Sequence, residues 1–300
     1  PGSVAPGSVA PGSVAPGSSA PTPDTPTPPD APFVTATATG LESDRFRLEF
    51  DPQTGYISSL FDKAAGVEAF AGPAAVPVVI GDRSDTWSHN VWSFREVVDR
   101  FSVTSMTPIA NGPVKAAMRV VSECGRSRIV QDFTLYAGLD HIDVFATVDW
   151  HEQFKALKLR FPINVHFHAA TSQIPYGHIV RETNGEEQPG GAWFDVSGTS
   201  RTSDEPYGVS LLNDSKYSYD VHIREASLTV LRSPIYAHHD PMVPDPAQLY
   251  SFMDQGAQRF RYAIFPHPGG WQDAGTVRRS AEINAGPVAL IGNMGPEGFL

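Results

Sequence analysis

The sequence predicts an all-β fold, a large antiparallel β-sandwich, on three observations. Apolar and polar residues alternate with period two in segment after segment between Asp44 and Trp150, the pattern of strands with one buried and one wet face. Short turn-forming clusters separate these segments at hairpin spacing, as in antiparallel meanders. The chain also carries 27 prolines and 26 glycines, spread through its body; each proline inside a helix would cost about 3 kcal/mol, so long helices are disfavoured.

Residues 1–32 precede this pattern. Pro-Gly-Ser-Val-Ala occurs three times and is followed by Pro-Gly-Ser-Ser-Ala and a Pro/Thr/Asp run reaching Asp30. Such a segment buries too little apolar surface to offset its ordering entropy, and its prolines favour extended polyproline II, so 1–32 reads as a disordered linker. Residues 33–300 then form the folded domain.

Within that domain Phe46, Leu48 and Phe50 alternate with Arg45, Arg47 and Glu49, and Asp51-Pro52-Gln53-Thr54-Gly55 supplies a hairpin turn before Tyr56 to Phe61. Val114, Ala116, Met118 and Val120 line one face of the next strand, which turns at Glu123-Cys124-Gly125-Arg126. Ile129, Phe133 and Leu135 follow, and after Gly138-Leu139-Asp140 the residues Ile142, Val144, Ala146, Val148 and Trp150 complete a meander. Further strands are expected over 155–161, 208–212, 226–231 and 259–265. The segment 171–205, rich in Gly, Asn, Glu and Pro, reads as a long ordered loop with short strands.

Charge and motif content narrow the function. Twenty-two Lys and Arg against 33 Asp and Glu give a net charge of −11, a field that repels nucleic acid and anionic membrane surfaces. No run approaches the roughly 18 apolar residues needed to span a bilayer. The single Cys124 has no internal disulfide partner, which suits a reducing compartment and is also compatible with secretion. There is no Gly-x-Ser-x-Gly elbow, phosphate-cradling loop or dinucleotide fingerprint, and Cys124 lacks an evident His partner for thiol chemistry.

Several polar groups are candidates for a site. Asn213, Asp214, Lys216 and Tyr217 follow the apolar run 209–212 and offer the carboxylate, amide, ammonium and aromatic face that sugars engage; the alternative is an Asx turn bonding local backbone. Arg232 ends an apolar strand, placed to pair with a carboxylate or reach a substrate hydroxyl. His238-His239-Asp240, between Pro234 and Pro241, either presents His239 to a ligand or braces its loop. His141-Ile142-Asp143 has the spacing of half a zinc site, but alternation sends His141 and Asp143 toward solvent. His166-Phe167-His168 has no third ligand nearby. Trp87 and Trp92 offer rings that could stack a sugar, but at five-residue spacing they are expected to fill a core.

Three blocks point to a family: Leu211-Leu212-Asn213-Asp214-Ser215-Lys216-Tyr217-Ser218-Tyr219-Asp220, Leu228 to Pro241 through Arg232-Ser233-Pro234-Ile235-Tyr236-Ala237-His238-His239, and Arg259-Phe260-Arg261-Tyr262-Ala263-Ile264-Phe265-Pro266-His267. With Val148 to Gln153, Leu157 to Pro162, Ile174 to Ile179, Thr183 to Gly190 and Trp193 to Ser197, in order, they resemble the C-terminal half of the zinc-dependent alpha-mannosidases, glycoside hydrolase family 38, from about Leu41 to Leu290. Ser218 and Asn90 stand where relatives usually carry Gly.

The resemblance implies a galactose mutarotase-like supersandwich, truncated at its C-terminus, and a retaining, exo-acting mannosidase whose zinc ligands and carboxylates sit in an N-terminal β/α barrel and helical bundle that precede this region. It implies zinc in the full-length enzyme and none held by this fragment, no catalytic residue within it, and partners comprising mannose-containing glycans, the barrel and bundle, and a possible homo-oligomer. Substrate contacts fall to Arg232, Asp214, Lys216, Tyr217 and His239, with Arg232 matching a basic residue that the sandwich extends toward substrate. A bacterial cytoplasmic location is expected. A freestanding carbohydrate-binding module is the alternative, and a mutarotase-like epimerase would need a convergent acid and base that the sequence does not display.

Overall fold

The computed structural model describes Gly2 and residues 33–238, 243–245 and 247–286. Contacts divide the chain between Ala31 and Pro32, and every strand and helix named here belongs to the second unit. The linker expected over 1–32 lies, apart from Gly2, outside the described residues.

Alternation builds the first sheet. Phe46, Leu48 and Phe50 are buried and Arg47 and Glu49 exposed, and the expected turn closes at Gly55, whose φ of +71° and 2.8 Å approach of a notional Cβ to Val120 Cγ1 leave room only for glycine. This five-stranded sheet comprises β1 (Val34–Ala36), β2 (Gly40–Ser43), β3 (Phe46–Phe50), β4 (Ile57–Asp62) and β5 (Val67–Glu68) in simple order. The chain continues through β6 (Val76–Gly81), β7 (Val97–Arg100), β8 (Ser102–Asn111), β9 (Lys115–Cys124), β10 (Ser127–Tyr136), β11 (Ile142–Trp150) and β12 (Lys155–Pro162). Then come β13 (Val165–Ile174), β14 (Gly177–Arg181), β15 (Gln188–Pro189), β16 (Trp193–Ser200), β17 (Pro206–Asn213), β18 (Ser218–His222), β19 (Glu225–Arg232), β20 (Gly256–Pro268) and α1 (Thr276–Asn284).

Nine strands form one sheet in the order β14-β13-β16-β17-β20-β11-β10-β9-β8, and six form another, β15-β18-β19-β12-β6-β7, with all named pairings antiparallel. Their inner faces share one core with the five-stranded sheet. Phe161 of β12 meets Tyr262 of β20 with ring centroids 6.1 Å apart, Tyr219 of β18 stacks on Phe194 of β16 at 4.4 Å, and Phe50 of β3 meets Phe133 of β10 edge-on at 5.0 Å. Buried aromatics of this size supply much of the apolar burial that stabilises such a fold. The all-β sandwich read from the sequence is therefore present. Among the described residues, no helix is long and apolar enough to cross a membrane.

Four expectations need correction. The segment 171–205 is not mainly loop: it contributes the end of β13, β14 and the whole of β16, an eight-residue strand of the large sheet. Val114 sits exposed in the turn before β9 rather than on the strand's buried face. His141 and Asp143 do not face solvent; they are 4% and 8% exposed. The reason is α1, which lies against the outer face of the sheet with Thr276, Ser280 and Ile283 buried. The Asp143 carboxylate accepts from Nε and Nη2 of Arg261 at 2.7–3.1 Å, and Arg261 also donates to the Ile283 carbonyl of the helix. Finally, Trp87 and Trp92 are 56% and 73% exposed; in the segment between β6 and β7 that carries them, the side chain that packs is Phe94, buried with Val76, Val78, Ile80 and Ala156.

Candidate functional site

The cleft nearest the predicted groups begins where β17 leaves the sheet. Asn213 Oδ1 accepts from the backbone N–H of Ser215 at 3.2 Å and Lys216 at 2.7 Å, an Asx turn that reverses the chain toward β18. Asp214 is likewise engaged: one carboxylate oxygen accepts from the Ser215 hydroxyl and the other from the Arg261 backbone N–H at 3.0 Å. The Tyr217 hydroxyl donates to the Asp214 carbonyl at 3.0 Å, which holds its half-exposed ring in place.

Lys216 reaches across the turn to donate to Gln258 Oε1 at 2.9 Å, with its ammonium 5.2 Å from the Phe260 ring centroid. Burial lowers its pKa, opposed by the nearby Asp254 and Asp214 carboxylates. Arg232, at the end of β19, donates from Nε to Asp82 at 2.9 Å and from Nη2 to the Ser84 hydroxyl at 2.8 Å, while its guanidinium lies 4.4 Å from the Phe94 ring centroid. The carboxylate pair weighed for Arg232 is formed, with Asp82.

Lys216, Tyr217 and Arg232 nonetheless converge, lining with Met253, Asp254 and Gln258 one cleft of about 320 Å³. Asp214 stands just behind it. His239 lies outside the described residues, as do Asp240 and Pro241. Its neighbour His238 braces the loop, donating its backbone N–H to Asp85 at 3.0 Å and setting its ring 5.0 Å from that of Tyr250.

Beneath the cleft is a charge network that reading for sugar-binding residues did not find. The hydroxyls of Ser218 and Thr229, both in the cleft wall, donate to Glu187 Oε1 at 2.5 Å. Glu187 pairs with Lys158, which is 1% exposed, and Lys158 pairs with Asp220 at 2.5 Å. Asp220 pairs with Arg95, Arg95 with Glu225 at 2.8 Å, and Glu225 with Arg160 at 3.5 Å. Three cations and three carboxylates thus neutralise one another, the condition under which charges survive burial. Burial still pushes the Asp220 carboxyl up, against the pull of Lys158 and Arg95. The available signal was Lys158 and Arg160 alternating with Leu157, Leu159 and Phe161: charges on one face of an otherwise apolar strand must find partners. Ser218 spends its hydroxyl on this network. Asn90 adopts a φ of 59°, in the left-handed region that glycine also favours.

A second polar cluster lies under α1. His267 Nε2 is 2.9 Å from Asp195 Oδ2 and 3.1 Å from Ser210 Oγ, and Ser210 Oγ is 2.8 Å from the Thr276 hydroxyl. A relay for nucleophilic attack needs the carboxylate on one ring nitrogen and the hydroxyl on the other. Here both use Nε2 and all four groups are buried, so the cluster fastens the helix to the sheet. His166 and His168 straddle a bulge between His166 and Ala169. Among the described residues no three His, Cys, Asp or Glu side chains gather into a set that could hold a metal ion.

Residues 41–247 match the model of the glycosyl hydrolases family 38 C-terminal domain. Human Alpha-mannosidase 2C1 is 30% identical over 264 residues, covering 83% of this chain and 24% of that protein, and Alpha-mannosidase G of Dictyostelium discoideum is 28% identical over 243 residues, covering 77% and 21%. The chain spans about a quarter of the length of these relatives. The crystal structure of an alpha-mannosidase from Enterococcus faecalis V583 has the same fold over 84% of this chain and 32% of its own, with a TM-score of 0.66 at 13% identity. With the family's domain matched over most of the sandwich, the chain belongs to glycosyl hydrolases family 38, as its C-terminal domain.

Proposed function

We propose that this domain is the β-sandwich part of a retaining, exo-acting alpha-mannosidase acting on alpha-mannosidic bonds in glycans. It supports and shapes an active site whose chemistry resides in a zinc-bearing β/α barrel outside the matched region. In such an enzyme zinc would bind sugar hydroxyls and offset developing charge, while two carboxylates about 5–5.5 Å apart carry a double displacement. Among the described residues no three His, Cys, Asp or Glu side chains could hold a metal ion together, and in this reading the chemical steps belong to the barrel. The sandwich's contribution is to present and hold: Tyr217 offers a ring face, Lys216 a cation with reduced proton affinity, and Arg232 fixes the segment after β6 through Asp82 and Ser84.

The observation that carries this reading is the state of the cleft's polar groups. Asn213, Asp214, Lys216 and Arg232 are all bonded to their own scaffold, which suits a rigid wall more than a self-sufficient sugar receptor. The half-exposed Trp87, Trp92 and Tyr217 favour the second reading, a freestanding carbohydrate-binding module. Calorimetric titration of the chain with mannose oligosaccharides separates the two. A supporting wall gives no saturable heat at sub-millimolar sugar, whereas tight binding lost in both Arg232→Ala and Asp214→Ala favours the module.

A further inference from the structure

A cavity of about 480 Å³ is separate from the Lys216 cleft. It opens between the β3–β4 hairpin and the β6, β7 and β12 edge of the six-stranded sheet. One part of its wall is apolar, with Tyr56, Ile57, Pro73 and Pro162; another carries two guanidinium groups, Arg100 and Arg160. From these features we infer that the cavity is a binding site for a small, sugar-sized oxyanion, a carboxylate or phosphate ester with an apolar face.

The donors on this wall are only partly spent. Arg100 has no ion pair or side-chain hydrogen bond among the described residues. Arg160 holds Glu225 only at 3.5 Å and donates to the Arg95 carbonyl at 3.3 Å, and its Nε is buried without a partner. Buried donors are nearly always satisfied, so an orphan beside a cavity calls for an acceptor. The cavity's acids do not serve: Glu225 is already taken by Arg95 at 2.8 Å, and Asp51 accepts from Gln53 N–H and the Thr54 hydroxyl.

The arginines also repel one another. Burial lowers the pKa of Arg160, Glu225 opposes it, and Arg95 and Arg100 lower it further. An anion between Arg100 and Arg160 would relieve that repulsion and form the charge-assisted bonds that planar guanidinium groups favour. The apolar wall, with the Tyr56 ring fixed by its hydroxyl donating to the Phe101 carbonyl at 2.9 Å, suits the C–H face of a sugar. None of the residues of the Lys216 cleft takes part, so the site stands apart from the proposed mannosidase role.

The test is calorimetric titration of the full chain at low ionic strength with mannose 6-phosphate and mannuronate, beside methyl α-mannoside and inorganic phosphate. Saturable binding of at least one sugar anion is expected, weakened tenfold or more by Arg100→Ala. Arg128→Ala, which removes an exposed charge elsewhere, should change it less than twofold; thermal unfolding confirms that both variants fold. Preference for mannose 6-phosphate identifies a phosphate ester, and preference for mannuronate a carboxylate. Absence of saturable binding, equal loss in both variants, or equal affinity for methyl α-mannoside or inorganic phosphate would overturn the inference.

Discussion

Two cavities of this domain, the Lys216 cleft and the Tyr56 cavity, differ in how they use similar groups. In the Lys216 cleft each cation has an internal acceptor: Lys216 holds Gln258, and Arg232 holds Asp82 and Ser84. In the Tyr56 cavity Arg100 holds no side chain among the described residues, and one nitrogen of Arg160 is buried without an acceptor. The buried chain of Glu187, Lys158, Asp220, Arg95 and Glu225 runs between them, ending on Ser218 and Thr229 at one side and Arg160 at the other. A satisfied polar surface is a scaffold, and an unsatisfied one is disposed to bind; proximity of suitable side chains does not by itself distinguish them.

The largest effect should come from the chain that joins the two. Lys158→Met leaves Asp220 and Glu187 short of a cation inside the sandwich and should destabilise by about 3–5 kcal/mol, read from urea unfolding. A loss below about 1 kcal/mol would mean the network is well solvated. Next, Arg232→Ala strips the cation from Asp82, which is 1% exposed, and should cost about 2–3 kcal/mol, with faster amide exchange in the segment between β6 and β7. No change in that segment would show that Arg232 is not its brace.

A carboxylate outside both cavities calibrates the comparison. Burial disfavours the charged form of Asp140, but its bond with His141 and pairing with Arg279 outweigh this and hold its pKa at about 2. The unfolded value is near 3.9. The stabilisation is therefore complete above about pH 4 and lost as pH falls toward 2, amounting to about 1 kcal/mol for this partly exposed group. Asp140→Asn should remove that slice of the acid transition; an unaltered pH profile would contradict the pairing. Smallest of all, Arg100→Ala and Lys216→Met should each shift stability by no more than about 0.5 kcal/mol. The first loses no bond. The second exchanges one lysine–amide hydrogen bond for relief of a buried charge whose pKa is already lowered.

The sandwich was legible because alternation was: β3, β9, β10, β11, β12, β17, β19 and β20 fall where apolar and polar residues take turns or where apolar runs stand between turn signals. The helix was not, because the face α1 turns to the sheet is Thr276, Ser280 and Ile283, which makes no apolar stripe. That omission reversed the reading of His141 and Asp143, whose strand face is wet only where nothing covers it. On the same outer face Arg119 and Asp132, beyond the helix, form an exposed pair at 2.7 Å, whereas Asp195 and His267 beneath it are buried. Composition concealed β16, since its Gly- and Asn-rich flanks outweighed Trp193-Phe194-Asp195-Val196. The Asx turn at Asn213 could be read locally, as could the polar and aromatic groups of Lys216 and Tyr217 beside it. The internal partners of the site's groups could not, because Asp82, Gln258 and Arg261 are distant in sequence.

The most direct test of the domain's role is the initial rate of hydrolysis of a chromogenic alpha-mannoside by the isolated chain, with and without added zinc. A supporting sandwich predicts no turnover above the uncatalysed rate in either condition. Saturable turnover that co-purifies with the chain and falls in Lys216→Met would contradict it, placing the chemistry in the sandwich itself.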